Sequence, residues 1–423
     1  MIRMLLRRSA IALVFAALAG GYWAHRVYWD APSEPVYFAY SDVYRHALPT
    51  ATFLHDELRR GNLPLWNPYQ MAGQPFVALY VSAALYPPNL LALALLPPAR
   101  ALEALTLFHL ALAGFFTWLF TARIGLAPPA RMAAAIGFMF SAPMLHGAYV
   151  VPCLAMQAWL PAILWALHGL AAEARGRWAV ALALVIALAF LAGYAFGFYL
   201  GLLLATAYGL FGLACVARRG TRLRVVVLAV AGAGLVLGLC APQLLPTLEL
   251  TAVSVRRFEN LSFEQAVEGP LLPRTLVVGL TGWLPADAKP MQRIATLPIL
   301  ALPLALCGAL SRRLRAHWLF LSGAALVSGA YLVGPATPVF GLFYSLPFGR
   351  TFRGPWQMLF TFQFLFALLA GVGVAAIGER LRGGAHPLRA SRLLPSALSV
   401  LLFAGAYVHS ALRVPPPAIA PPP

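Results

Sequence analysis

Apolar runs of about 17–20 residues recur along nearly the whole chain, and no other feature of the sequence restricts the fold as strongly. Such runs read as helices that bury their own backbone hydrogen bonds where no water can take them. A very large soluble core is the alternative, and it fails because the runs carry no polar face. Composition agrees. Of 423 residues, 61% are hydrophobic and 10% charged, against about 25% charged in a soluble domain. The expected fold is an all-α polytopic membrane protein.

The formal net charge of +18 would suit a nucleic-acid partner if it formed a patch, but its distribution follows the runs instead. Short connections hold Arg3, Arg7, Arg8, Arg123, Arg131, Arg175, Arg177, Arg218, Arg219, Arg222, Arg224, Arg312, Arg313, Arg315, Arg380, Arg382, Arg389 and Arg392. These are 18 of the 31 basic residues, and only Glu173 and Glu379 lie among them. The positive-inside rule makes those connections cytoplasmic. The basic charge is a topology signal, and no nucleic acid is expected as a partner.

The map that follows has about eleven transmembrane helices, with the N-terminus inside and the C-terminus outside. They lie near residues 8–24, 101–121, 132–149, 152–170, 178–193, 195–215, 224–241, 293–311, 316–334, 356–376 and 394–412. Residues 1–24 form a signal anchor or, alternatively, a cleaved signal peptide with Ala17-Leu18-Ala19 near its end. Residues 25–100 form a long first extracytoplasmic loop. Within it Val77–Leu96 is apolar but interrupted by Pro87–Pro88, and reads as a helix along the outer face. Residues 101–412 form the transmembrane domain, with outer loops at 242–292 and 335–355; 413–423 is a proline-rich tail. Cys153, Cys215, Cys240 and Cys307 fall in or at the ends of helices and read as small packing residues. No disulfide or zinc site is expected. Gly193–Gly197 and Gly234–Gly238 have the spacing of close helix approach.

The first loop draws attention because irregular backbone beside lipid survives only when buried in protein or lining a wet cavity. Asp42 is its leading candidate, followed by Arg45 and His46. It reads either as a general base, or a metal- or phosphate-positioning carboxylate, or as the N-cap of a short helix. Asp56 and Glu57 sit in an amphipathic pattern and read as solvated charges. His46 and His55 are single histidines on polar faces. Trp66 and Tyr69 suit an interfacial aromatic belt or a sugar-stacking platform. Arg256, Arg257, Arg350 and Arg353 stand at the outer edge against the topology bias. They read as phosphate ligands or as contacts to headgroups and outer carboxylates.

Several segments in order resemble the YfhO family of bacterial membrane proteins, similar in turn to the GT-C glycosyltransferase superfamily. They are Ser41-Asp42 with Pro49 seven residues on, GNLPLWNPYQMAGQPF, YPPN, PQLLPTLEL with SVRR, and FRGP before a late span. The resemblance covers roughly residues 35–380. It implies a GT-C-like arrangement in a bacterial inner membrane, with the site on the outer face and Asp42 as the catalytic carboxylate. The donor implied is a polyprenyl-phosphate sugar, and the acceptor an extracytoplasmic glycan, lipid or protein; a divalent metal is left open. Arg256, Arg257, Arg350 and Arg353 would hold donor phosphate, with Arg45, His46, Trp66 and Tyr69 also touching substrate. A flippase or transporter of a lipid-linked saccharide is the main alternative, and a non-catalytic assembly partner another. A coupled transporter should show ionisable residues within its spans, where the sequence offers chiefly Glu103 and His109.

Overall fold

The computed structural model describes residues 2–28, 42–147, 151–254, 261–280 and 295–383. Arg256, Arg257, the span expected at 394–412 and the proline-rich tail lie outside the described residues.

The described chain is almost wholly helical. Helix α1 is Ile2–Tyr28. A π-turn at Val43–Ala47 leads into α2, Leu48–Arg59. A two-residue hairpin, β1 Trp66–Asn67 and β2 Gln74–Pro75, pairs Trp66 with Pro75 and Asn67 with Gln74 in antiparallel register. Next come α3 Pro87–Leu95, α4 Pro98–Arg123, α5 Pro128–Met139, α6 Ala142–Gly147, α7 Val151–Glu173, α8 Gly176–Leu191, α9 Ala195–Phe211 and α10 Arg222–Ala252. The last elements are α11 Phe263–Ala266, α12 Pro273–Leu280, α13 Ala301–Cys307, α14 Arg315–Leu332, α15 Pro338–Ser345 and α16 Leu359–Gly383.

Among the described residues, five stretches are long and apolar enough to cross a membrane: Pro98–Arg123, Val151–Glu173, Ala195–Val216, Arg219–Ala252 and Pro355–Leu381. Two of the remaining expected spans are broken or shorter than the sequence suggests. The run at 132–149 divides into α5 and α6 at Phe140–Ser141, where Phe140 leaves helical geometry. The run at 293–311 yields α13 and a 3-10 turn ending at Leu310. Short helices are tolerated there because protein surrounds them. Helix α5 buries Ala133, Ala134 and Ala135, and Gly371 of α16 lies against Ala134. Pro87–Pro88 opens α3 at its first turn, where a missing N–H leaves no helical bond unmade.

Helices α7 and α16 form the centre: 89% and 94% of their most apolar stretches are buried. In α10 the figure is 17%, so that helix stands at the periphery with apolar side chains facing outward. Gly234 and Gly238 on α10 meet nothing within 4 Å, and Gly193 lies in the turn before α9 at φ +86°. Neither expected glycine pair packs two helices together.

One end of the bundle gathers the arginine-rich turns. Arg313 donates to Gly125 O at 2.9 Å and pairs with Glu379 at 2.8 Å, while Ser311 Oγ donates to the same carboxylate. Glu173 takes Arg123 at 3.1 Å, together with Arg175 and Arg177. The two carboxylates that the sequence sets among the arginines are thus the ones that tie those turns together. The first loop folds over the other end. Its small core joins Phe53, Leu54, Phe76, Val77 and Leu93.

Gly373 of α16 touches the backbone of α13 so closely that an added Cβ would lie 1.8 Å from Leu304 O. Gly373→Ala is therefore expected to destabilise the bundle by at least the ~1–3 kcal/mol typical of overpacking. Gly234→Ala, in open space, is expected to change little. Thermal unfolding of both variants in detergent checks the contrast; equal midpoints would contradict the tight α13–α16 contact.

Candidate functional site

A cavity of about 620 Å3 lies between the folded first loop and the ends of α4, α7 and α8. Asp42, Arg45 and His46 line one side. All three are exposed, and their spacing of three and four residues sets them on one face of a helical turn. The turn is a π-turn closed by Leu48 N–H to Val43 O. Pro49 follows, and its ring nitrogen has no proton for the carbonyl of Arg45, so the ordinary α ladder cannot run through this point. Asp42 occupies the position before the turn in right-handed helical geometry and makes no side-chain capping bond. Its carboxylate is spent on the cavity, not on an N-cap, and its charge also acts on the imidazole of His146 at the end of α6.

Much of the remaining lining is apolar. Met71 and Val81 line the cavity and are largely exposed, while Leu54, Phe76, Leu79, Leu93, Leu102 and Leu105 form its interior. Gln70, Gln74, Ser82 and Asn89 add uncharged polar groups to the wall. Gln74 Nε2 donates to Gln70 Oε1 at 2.7 Å, and Asn67 Oδ1 accepts from the Tyr69 N–H at 2.9 Å, which fixes the hairpin carrying these residues.

Beneath the cavity, three side chains form a buried chain of hydrogen bonds. Trp159 Nε1–H donates to Tyr86 Oη at 2.8 Å, Tyr86 Oη lies 2.7 Å from His109 Nε2, and His109 Nδ1 lies 2.6 Å from Leu105 O. A carbonyl only accepts, so His109 carries its proton on Nδ1, and Nε2 accepts from the Tyr86 hydroxyl. Burial pushes the Tyr86 phenol well above its ordinary range, partly offset by the Trp159 bond, so the hydroxyl keeps its proton. Sequence reasoning named His109 without this role and did not single out Tyr86 or Trp159. Tyr86 belongs to the YPPN motif, which was its available signal.

The loop is fastened from the side by α10. Gln243 Nε2 donates to Val77 O at 2.6 Å, and Thr247 Oγ1 donates to Ala78 O at 3.0 Å. Gln243 is buried. The PQLLPT motif, expected to leave the seventh span, continues as helix through Pro242 and Pro246 and supplies this latch. Tyr80 Oη donates in the same way to Phe190 O at 2.5 Å.

The other expected site residues are placed elsewhere. Trp66 does not line the cavity; its indole covers Gly73. Tyr69 is 80% exposed and meets Phe53 edge-on. Arg353 pairs with Glu268 at 3.3 Å, and Arg350 lies over the Tyr344 ring at 5.4 Å; neither lines the cavity. His55 Nδ1 donates to Leu93 O at 2.7 Å and braces α2 on α3, while Asp56 is exposed and Glu57, its side chain only 16% exposed, pairs with Arg60. Among the described residues no group of three His, Cys, Asp or Glu could hold a metal ion.

A second polar cluster lies toward the arginine-rich end. His168 Nδ1 is 2.8 Å from Tyr208 Oη, and the His168 and His317 rings are 5.8 Å apart. Both histidines fall inside expected spans and add to Glu103 and His109, the ionisable groups expected there. No protein-family model matches the sequence, and no curated protein matches it.

The hydrogen-bond chain generates a stability prediction. Tyr86→Phe leaves Trp159 Nε1–H and His109 Nε2 without their partner. Each orphaned buried group costs about 1–3 kcal/mol. The variant is expected to melt clearly below the parent, and Tyr86→Phe combined with His109→Phe is expected to fall short of the sum of the single effects. A double-mutant cycle on detergent unfolding midpoints reads this; simple additivity would deny the chain.

Proposed function

We propose that this chain is a membrane glycosyltransferase of the GT-C type, as its resemblance to the YfhO family implies. It would move a sugar from a polyprenyl-phosphate donor to an acceptor outside the cytoplasm. The observation that carries this reading is the mixed lining of the cavity. A carboxylate, a guanidinium and an imidazole share a cavity of about 620 Å3 with many apolar side chains, which suits a ligand with an anionic head and a hydrocarbon tail.

In this reading the acceptor hydroxyl attacks the anomeric carbon and passes its proton to the Asp42 carboxylate. The bond from that carbon to the phosphate oxygen breaks, and the leaving phosphate keeps the electron pair. Arg45 and His46 would meet the charge that develops there. Arg353 is assigned instead to its pair with Glu268 and Arg350 to the Tyr344 ring, since both stand outside the cavity lining. The arginine-rich end of the bundle is taken as cytoplasmic and the cavity end as the outer face of a bacterial inner membrane.

A coupled flippase for the same saccharide would need an ionisable route through the spans. His109 has both ring nitrogens engaged, and residues 160–167 of α7, between Trp159 and His168, read Leu-Pro-Ala-Ile-Leu-Trp-Ala-Leu. That stretch offers no relay, so transfer is the better-supported reading.

Asp42→Asn keeps the volume and removes the base. Transfer is expected to fall about 10²–10⁴-fold, with normal accumulation in the membrane and retained donor binding. Asp56→Asn is expected to be silent. Arg45→Ala is expected to raise KM for the lipid-linked donor more than it lowers kcat, the form a ground-state phosphate contact takes. Donor turnover by purified protein decides the matter; near-parental transfer in Asp42→Asn would remove the catalytic role. For orientation, a cysteine placed at Arg219 is expected to resist an impermeant maleimide in intact cells while one at Arg60 reacts. The reverse pattern would invert the topology.

A further inference from the structure

From Gly61 to Ala99 the chain has 39 residues without an Asp, Glu, Lys, Arg or His. This stretch is not simply buried. Leu63, Leu65, Trp66, Tyr69 and Met71 are 55%, 63%, 57%, 80% and 91% exposed. Water-facing surfaces seldom carry so many large apolar side chains side by side. Nor is the patch a loose coil waiting to collapse. The β1–β2 pairing, the Gln70–Gln74 bond and the Trp66 indole over Gly73 hold it in shape. Met71 and Ala72 sit in the left-handed region at φ 52° and 59°, a conformation that persists where surrounding contacts enforce it.

The depth of the hairpin follows from the latch. Helix α10 stands at the periphery of the bundle. Counting from Arg224 at the arginine-rich end, 20 residues at about 1.5 Å each bring the helix to residue 244 after about 30 Å, the thickness of the hydrocarbon core. Gln243 and Thr247 therefore lie at the far hydrocarbon boundary. The carbonyls of Val77 and Ala78 lie there with them, and β2 ends only two residues earlier. On α10 itself, Leu245 and Leu248 are also exposed.

We propose that the Leu63–Met71 hairpin is inserted into the lipid leaflet on the cavity-bearing face, where headgroups and upper acyl chains cover its apolar side chains. Tryptophan, tyrosine and uncharged amides are the side chains suited to that level. Because Met71 and Val81 are both exposed and both line the cavity, its apolar rim then opens onto the leaflet, while Asp42, Arg45 and His46 form the rim toward water. The insertion does not depend on the glycosyltransferase reading, and its test needs no turnover.

The experiment uses the full chain with its four cysteines replaced by alanine and one new cysteine carrying a bimane fluorophore. The probe sites are Tyr69→Cys and Leu65→Cys, two positions so that misfolding of one does not end the test. Leu237→Cys on the exposed side of α10 is the lipid control, and Arg60→Cys, just before the uncharged stretch, is the water control. Each is reconstituted in phosphatidylethanolamine–phosphatidylglycerol nanodiscs with or without lipids bearing a nitroxide high on the acyl chain, and titrated separately with iodide. For an interfacial position, nitroxide quenching at 65 and 69 is expected within about twofold of Leu237→Cys, with iodide quenching several-fold weaker than at Arg60→Cys. Iodide quenching equal to Arg60→Cys without nitroxide quenching would overturn the proposal and leave the patch as a surface for a protein partner.

Discussion

Two side chains of one peripheral helix hold the first loop against the bundle, and the cavity depends on them. A turn buried beside lipid has carbonyls that need donors from elsewhere in the fold. Gln243 and Thr247 supply the missing donors to Val77 and Ala78. The cost of leaving those carbonyls unpaired at low dielectric makes the latch a constraint on where the loop can sit. Phe76 and Leu79, which flank the latched residues, line the cavity, so its wall is positioned by the same two bonds.

The cavity combines opposite kinds of side chain at short range because several different elements supply them. The π-turn presents Asp42, Arg45 and His46; the hairpin presents Gln70, Met71 and Gln74; α4 and α7 close the floor. Below it, the Trp159–Tyr86–His109 chain joins α7, the start of α3 and α4 without a charge. A neutral, fully directed set of hydrogen bonds fixes three elements at the base of a site while leaving the ionisable groups on its rim. At the other end of the bundle the pattern is reversed: Glu173 and Glu379 gather arginines at the edge, where water still screens them.

Much of this was legible from residues alone, for identifiable reasons. Apolar length and arginine placement depend on lipid thickness and membrane charge, which act on sequence segments one at a time. The grouping of Asp42, Arg45 and His46 was equally accessible, because a helical turn brings i, i+3 and i+4 together wherever it sits. The exposure of Asp56 followed from the same periodicity. Arg350 and Arg353 were harder: an outer arginine looks the same in sequence whether it faces a cavity or a neighbouring Glu268, and the partner lies some 80 residues away.

By itself, then, the sequence determined a helical chain with its arginines at one end and a polar triplet on one turn outside the first span. These are local consequences of burying backbone in lipid and of helix geometry. Only the tertiary structure decided that five helices reach full length among the described residues, that PQLLPT stays helical and clasps a distant turn, and that Tyr86 closes onto His109. Each of those depends on contacts between segments far apart in the chain. A proline tolerated within a helix, or a helix too short to cross lipid, is permitted only by what packs beside it, and no single segment carries that information.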